Sequence, residues 1–484
     1  MHVKINPKVS VCIVFVAAMF MSIMDTTIVN VALPALGRQF NVESTSIDAV
    51  IVGYMISLAV VIPVSGWLGD QWGTKRVFLL ALALFSIASA LCGLAQSLPM
   101  LIGFRILQGV AGGALTPVGT TILYRTFPPE ERVGVSRILT IPTVIAPASG
   151  PVIGGFLVQQ LSWRWVFYVN VPIGIATLLF GLFFLQEERQ GKGAGHFDPL
   201  GFVLAGSGLA LLMYALTEGP TYSWSSPGIF GSALAGLLLL ALFVFVELRA
   251  SEPMLDLRLL GNKLFCTCNL VTMASSAAFL GVLFVAPLFL QEARGASPLV
   301  SGLTTFPEAI GVVVSTQFVA RIYPQIGPRR LIAGGLAGVA IMMFLLSFIG
   351  LDTNLWLMRA LIFLIGAGMA FSFTSVQAAG FATISPAATG RASSLNSAQR
   401  QVGSALGVAI LSTVIGIVGP VIVGTHGSVQ PNLTAYHAAF IAAAALALAA
   451  AAIALFIRDR DAASTMKLPG SAQRAPQQEI LVEI

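Results

Sequence analysis

Long apolar runs recur from Val9 to Ile457, separated by short polar or Pro/Gly-rich breaks, and no long soluble stretch interrupts them. Runs near or above the ~18 residues that read as a membrane span predict helices over residues 9–31, 47–68, 77–96, 100–123, 136–159 and 165–186. A polar break from Gln186 to Asp198 precedes two more runs, 199–217 and 228–249, and an amphipathic break from Arg249 to Lys263 closes them off. Six further runs cover 267–290, 300–321, 329–350, 355–378, 402–424 and 434–457. The pattern predicts an all-α integral membrane protein of fourteen spans grouped six, two and six. The units are 1–190, an inserted pair in 191–262, a second six-helix block in 263–460, and a disordered polar tail over 461–484. The first run continues through Val31, contains Asp25 and is followed by no small-residue cleavage site, so it reads as a retained helix and not a signal peptide.

Charge sharpens this map. Only 10% of the 484 residues are charged and 56% are hydrophobic, whereas a soluble domain carries roughly a quarter charged residues. The net charge of +6 does not mark a nucleic-acid binder, because the basic residues lie in connections and build no basic face. Lys and Arg instead sort by side, as the positive-inside rule expects. One side takes Lys4, Lys8, Lys75, Arg76, Arg125, Arg132, Arg137, Arg189 and Lys192 in the first block and its exit. The same side takes Arg249, Arg258, Lys263, Arg321, Arg329, Arg330, Arg391 and Arg400, then Arg458, Arg460, Lys467 and Arg474 in the tail. The other side takes Arg38, Arg164 and Arg294. An odd span count would scramble this sorting, so the chain reads as even-numbered, with both termini cytoplasmic.

Arg105 and Arg359 remain inside predicted helices, each about five residues into the fourth helix of its six-helix block. Gly150 and Gly154 in the fifth helix answer Gly403 and Gly407 in the thirteenth, again four apart. These matches indicate two parallel six-helix halves, an architecture in which the substrate cavity lies between the halves near the midplane. Cys12, Cys92, Cys266 and Cys268 lie in or beside apolar segments and lack the second pair that a zinc site needs.

Asp25 falls about sixteen residues into the first helix, well above the inner surface. An embedded carboxylate is costly and faces a cavity or a partner; an ion pair with Arg105 is the structural alternative to a functional role. Apolar surroundings favour its neutral form and a nearby arginine its charged form, so such a group can exchange a proton as access alternates. Around it the residues run Met24, Asp25, Thr26, Thr27, Ile28, Val29, Asn30, Val31, Ala32, Leu33 and Pro34. Between helices two and three stand Gly66, Leu68, Gly69, Asp70, Gly73, Lys75 and Arg76. Both stretches resemble motifs of the fourteen-helix drug:proton antiporter family of the major facilitator superfamily. Met24 replaces the family's usual leucine, and Gln71 and Thr74 stand where basic residues are usual, which weakens the charge of the second motif.

The resemblance implies a proton-driven exporter in the cell's inner (plasma) membrane, powered by the proton gradient without a cofactor. Its implied substrates are lipophilic or cationic small molecules. In that reading Asp70 accepts from backbone or basic donors of the other half and clamps one conformation; loop anchoring by Lys75 and Arg76 is the plainer alternative. Arg105, with Gln108, Gly109 and Gly113, resembles the family's arginine motif. A guanidinium stays charged at ordinary pH, so its work would be to tune Asp25. Gly150, Pro151, Gly154 and Gly155 resemble the superfamily's exporter motif, with Ala146 in place of its first glycine; small residues four apart also allow close helix contact. Trp163, Arg164, Trp165, Phe167, Asn170, Pro172 and Gly174 resemble the entry to helix six of the fourteen-helix branch. The matches cover most of residues 24–174 and thin afterwards.

In the second half Glu308, after Pro307, is a candidate sensor for cationic substrates, or a helix-start carboxylate favoured by the helix dipole. Asn269, Gln291, Gln317 and Gln377 are candidate neutral polar contacts. No phosphate-binding loop is present, and His2, His196, His426 and His437 are scattered, so neither an ATP-driven pump nor an embedded enzyme is indicated. A dedicated metabolite, siderophore or antibiotic exporter remains an alternative, as does a sensor or channel that moves nothing uphill.

Overall fold

The computed structural model describes residues 6–42, 47–187, 196–251, 253–423 and 429–466. Lys4, Arg189, Lys192, Lys467, Arg474 and most of the expected tail lie outside the described residues. The first six helices are α1 (Pro7–Phe40), α2 (Ala49–Trp72), α3 (Thr74–Leu94), α4 (Leu98–Thr126), α5 (Arg132–Gln160) and α6 (Trp165–Phe184). The inserted pair is α7 (Pro199–Tyr222) and α8 (Pro227–Arg249). The last six are α9 (Lys263–Leu288), α10 (Leu299–Ile326), α11 (Pro328–Leu346), α12 (Leu355–Gly380), α13 (Thr389–Val418) and α14 (Leu433–Ala454).

Local chemistry sets many of the starts. Asn6, Ser97, Asp198, Ser226, Asn262, Asn354 and Asn432 each accept a first-turn N–H, and Pro stands just inside α1, α4, α7 and α8. Gly73, which separates α2 from α3, has φ 93° and needs a residue without a Cβ. Thirteen helices among the described residues are long and apolar enough to cross a membrane. The remaining expected span falls on α5, 29 residues long and not among those thirteen.

The packing repeats. In the first block α1 packs on α5 and α6, α2 on α4, and α3 on α4 and α6. In the last block α9 packs on α13 and α14, α10 on α12, and α11 on α12 and α14. Each contact of one block thus has its counterpart in the other. Gly150 of α5 abuts Thr27 and Ile28 of α1, and Gly403 of α13 abuts the Met273 backbone of α9, each with no room for a Cβ. That places Val271 where the first half has Asp25, two residues before the contact in each case.

The inserted helices are unequal. α7 lies against both α2 and α13 and so touches both blocks, through Ala59, Met213, Leu216 and Ala409. Trp224, just beyond α7, donates to Thr413 Oγ1 at 2.7 Å. α8 packs on α7 at Gly236 and leaves Phe230, Leu234, Leu237 and Leu238 exposed, a surface suited to lipid.

Three boundaries differ from the hydropathy pattern. α13 begins at Thr389, not 402, because the small residues Gly390, Ser393 and Ser394 continue the helix where it meets α2 and α4. It ends at Val418, before Gly419 at φ 83°, and residues 421–423 pair antiparallel with 429–431. Arg391 and Arg400, expected in a connection, are therefore helical. Residues expected to open the disordered tail instead continue a 3₁₀ helix, Asp459–Thr465. It is held by Tyr323 and Thr465 hydroxyls 2.9 Å apart and by Arg329 N donating to Asp459 Oδ1 at 2.9 Å.

Candidate functional site

Asp25 lies 18 residues beyond Pro7, about 27 Å along α1 at 1.5 Å per residue. Arg105 lies seven residues beyond Leu98 on the antiparallel α4. Their side chains are 0% and 1% exposed, and Arg105 Nη1 donates to Asp25 Oδ2 at 2.5 Å. The other carboxylate oxygen accepts from Gln108 Nε2 at 3.0 Å and Asn170 Nδ2 at 2.8 Å. Arg105 Nη1 also donates to Gln108 Oε1 at 2.8 Å, and its Nε to the Val50 carbonyl at 3.4 Å. Tyr54 presents its ring face to the guanidinium, 4.2 Å from the centroid.

The helices hold these groups in place. Gln108 is one turn beyond Arg105 on α4, so both reach the same carboxylate. Asn170 begins the longer part of α6, after the short Trp165–Tyr168 turn, and also donates to Ser89 Oγ at 3.1 Å. Ser89 in turn donates to the Phe167 carbonyl at 2.9 Å. Gly150 and Gly154 bring α5 against α1 at Thr27 and Ile28, one turn from the acid, while Gly155 faces open space. Pro151 lies in α5 with its side chain outside the described set.

The acceptor positions of the acid are filled. Two carboxylate oxygens take three donors, so the negative charge is balanced by Arg105 and fully engaged. A proton on Asp25 would convert an acceptor into a donor and leave a buried guanidinium without its counter-charge. Arg359, the repeat counterpart of Arg105, has no such carboxylate partner among the described residues: its guanidinium lies over Trp356, 4.7 Å from the ring centroid, in keeping with Val271 at the acid's equivalent position.

At the end where Lys8, Lys75 and Arg125 lie, the two blocks meet. Gly66 of α2 sits so close to the Gly390 carbonyl and Ser394 Oγ of α13 that a Cβ would collide with both. Ser65 and Ser394 hydroxyls are 3.1 Å apart, and Ser393 Oγ donates to the Pro117 carbonyl of α4 at 2.9 Å. Tyr124 stacks on Phe381 at 4.6 Å and donates to the Gln377 carbonyl at 3.0 Å. Arg132 Nη1 donates to the Phe381 carbonyl.

The charges of this closure are wired differently from expectation. The basic donor to Asp70 comes from its own block: Arg125 Nη2 donates to Oδ1 at 2.7 Å, because α2 and α4 pack side by side and the last turn of α4 ends beside the acid. The crossing is made by Arg125 Nε, which donates to the Pro386 carbonyl at 3.3 Å, and by the Asp70 carboxylate lying against Gly390. Lys75 and Arg76 do not cross. Lys75 Nζ donates to the Leu182 and Leu185 carbonyls at 3.1 and 2.5 Å, and Arg76 Nε lies 3.9 Å from Glu187 Oε2. They anchor the α2–α3 connection to α6.

The candidate polar contacts of the last block are dispersed. Glu308 is buried on α10 where its backbone meets Gly366 of α12, and its Oε1 has no hydrogen-bond partner among the described residues. Asn269 of α9 is a packing link: Nδ2 donates to the Phe265 carbonyl at 2.8 Å, and Oδ1 accepts from Asn396 of α13 at 2.9 Å. Gln291, in the π turn after α9, is exposed and lies 3.4 Å from Ser301 Oγ. Gln377 belongs to the closure, and Gln317 donates to the Val313 carbonyl of its own helix at 3.3 Å. A recess of about 510 Å³ is lined by Cys12, Ile13, Val16, Ala17, Phe20 and Ile173 and reaches none of these groups. Sequence reasoning left out Tyr54, counted Arg125 only as a topology charge and assigned Asn170 no role at Asp25. No spacing signal ties residues 54, 125 and 170 to their partners; only helix packing does.

The Major Facilitator Superfamily model matches residues 15–408 and again 268–481. The chain is 30% identical over 407 residues to the multidrug resistance protein B homolog of Mycobacterium tuberculosis (strain ATCC 25618 / H37Rv), covering 83% of this chain and 75% of that protein. It is 32% identical over 426 residues to the putative multidrug resistance protein MdtD of Serratia proteamaculans (strain 568), covering 87% of each. Among solved structures, the human organic anion transporter MFSD10 (TETRAN) superposes with a TM-score of 0.68 at 16% identity, covering 93% of this chain and 100% of that one, a likeness of fold alone.

Proposed function

The chain belongs to the major facilitator superfamily, and from that premise we propose that it is a proton-coupled antiporter that exports drugs or other amphipathic compounds by alternating access. It resides in the inner membrane with both termini cytoplasmic, a placement supported by the basic residues gathered at the end where α1 begins. The relatives' names support the substrate class. The observation that carries the coupling is the Asp25 carboxylate, wholly buried and engaged by Arg105, Gln108 and Asn170.

The two halves rock about their shared interface. With the basic end closed by the α2–α13 contact at Gly66, Asp25 is charged and its cluster intact. A proton arriving from the outer side neutralises Asp25 and frees Arg105 from its counter-charge. α1 then shifts against α5 along the Gly150 and Gly154 contact, the basic end opens, and substrate entering from the cytoplasm favours the deprotonated acid. Proton and drug thus compete, and proton entry drives drug outward. Lys75 and Arg76 hold the α2–α3 connection while Asp70 and Arg125 latch the closed end.

The test uses inverted membrane vesicles carrying the protein and an imposed proton gradient, to which ethidium and other lipophilic cations are added. Proton release on addition supports the antiport. A gradient that no lipophilic cation or antibiotic disturbs refutes it.

A further inference from the structure

Arg400 has no place in the mechanism above and does not sit where a topology charge belongs. It lies eleven residues into α13 from Thr389, about 16 Å along the helix from the closed end, too deep for its side chain to reach the basic surface. The side chain is largely but not wholly buried, and its guanidinium has no hydrogen-bond or ion-pair partner among the described residues. The embedded carboxylates leave it unpaired. Asp25 is engaged by Arg105, Gln108 and Asn170, Asp70 by Arg125, and Glu308 has an oxygen with no partner of its own.

The helix face gives its direction. Arg400 is two turns beyond Ser393, which donates to the Pro117 carbonyl of α4, so both residues project along one line of α13. On one side of that line Asn396, Gly403 and Gly407 meet α9 of the same block. On the other side Gly390 and Ser394 meet α2 of the first block. Arg400 therefore points between α9 and α2, towards α4, into the space shared by the two halves and above their closed end.

We propose that Arg400 is a substrate-recognition residue that receives an anionic group, a carboxylate in the first instance, on an otherwise apolar substrate. A guanidinium suits this because its planar fork takes a carboxylate through two parallel hydrogen bonds and stays charged at any working pH. An embedded ionisable side chain facing an interior space is retained for the partner it meets there, and none of the described residues is that partner.

This inference rests on the carrier reading, in which substrate occupies the space between the halves, but its test needs no proton coupling. The full chain in lipid nanodiscs is titrated with dansylaminoundecanoic acid and its methyl ester, followed by energy transfer from tryptophan, with empty nanodiscs subtracted. Two further acid and ester pairs of different shape are treated alike. The acid is expected to bind roughly tenfold or more tightly than its ester. Arg400→Gln is expected to erase that preference while leaving ester affinity and melting temperature unchanged, and Arg400→Lys to keep part of it. No acid preference in any pair, or a preference that survives Arg400→Gln, overturns the proposal. Vesicles that show no drug-driven proton release alongside an Arg400-dependent acid preference would sink the antiport and leave this site standing.

Discussion

The Arg105 guanidinium donates to the Asp25 carboxylate at 2.5 Å with both side chains excluded from solvent. Removing one partner of such a pair leaves an uncompensated buried charge, at a cost of about 3–5 kcal/mol. Arg105→Ala should therefore lower the thermal unfolding midpoint in detergent and abolish transport. Arg105→Lys keeps the charge but loses the fork that reaches both Asp25 and Val50, so it should fold and transport poorly. An unchanged midpoint in Arg105→Ala would mean that the pair contributes nothing to the fold.

The glycine contacts predict opposite outcomes for neighbours in one motif. Gly150 abuts Thr27, and a side chain there must push α5 off α1; Gly150→Val should destabilise by about 1–3 kcal/mol, as overpacking does, and depress transport with it. Gly155 meets nothing within 4 Å, so Gly155→Ala should stay within about 0.5 kcal/mol of the parent. Equal effects at both positions in unfolding and transport assays would contradict the packing described.

Gly66 has Gly390 and Ser394 of the other half where its Cβ would be. Gly66→Val should prevent closure of the basic end. Spin labels replacing Trp72 and Ala387, measured by pulsed electron resonance, should show a longer mean separation, and efflux should fall by about tenfold or more, the equivalent of 1.4 kcal/mol. A distance distribution identical to that of the parent would remove Gly66 from the gate.

Glu308 is buried with an unpartnered oxygen. If it senses positive charge, Glu308→Gln should weaken ethidium binding by about tenfold, the scale of a lost charged hydrogen bond, and leave an uncharged substrate unaffected. Equal weakening of both would make it a packing residue.

Much of this was legible in the sequence because membrane helices announce themselves. Apolar runs placed the thirteen helices among the described residues that are long and apolar enough to cross a membrane, and Arg105 with Arg359 exposed the repeat that the packing reproduces. Asp25 and Arg105 stood out because a charge in an apolar run is rare, and the structure brings them together. The start of α13 was missed because Ser393, Ser394 and Asn396 look like a connection when hydropathy is the only guide. Their polarity serves a contact between helices, which hydropathy does not register. Arg400 was misplaced for the same reason. Asp70 was legible as an acid at the end of α2 that needs a basic partner, but Arg125 as that partner was not, since only the side-by-side packing of α2 and α4 brings residues 70 and 125 together.

The most direct test of the account is the proton that Asp25 is held to exchange. Purified protein in weakly buffered detergent with a pH indicator is titrated with ethidium, and proton release is recorded on binding. The account predicts release from the wild type, ethidium affinity that rises with pH because drug favours the deprotonated acid, and neither effect in a folded Asp25→Asn variant. Proton release from Asp25→Asn equal to that of the wild type would contradict it.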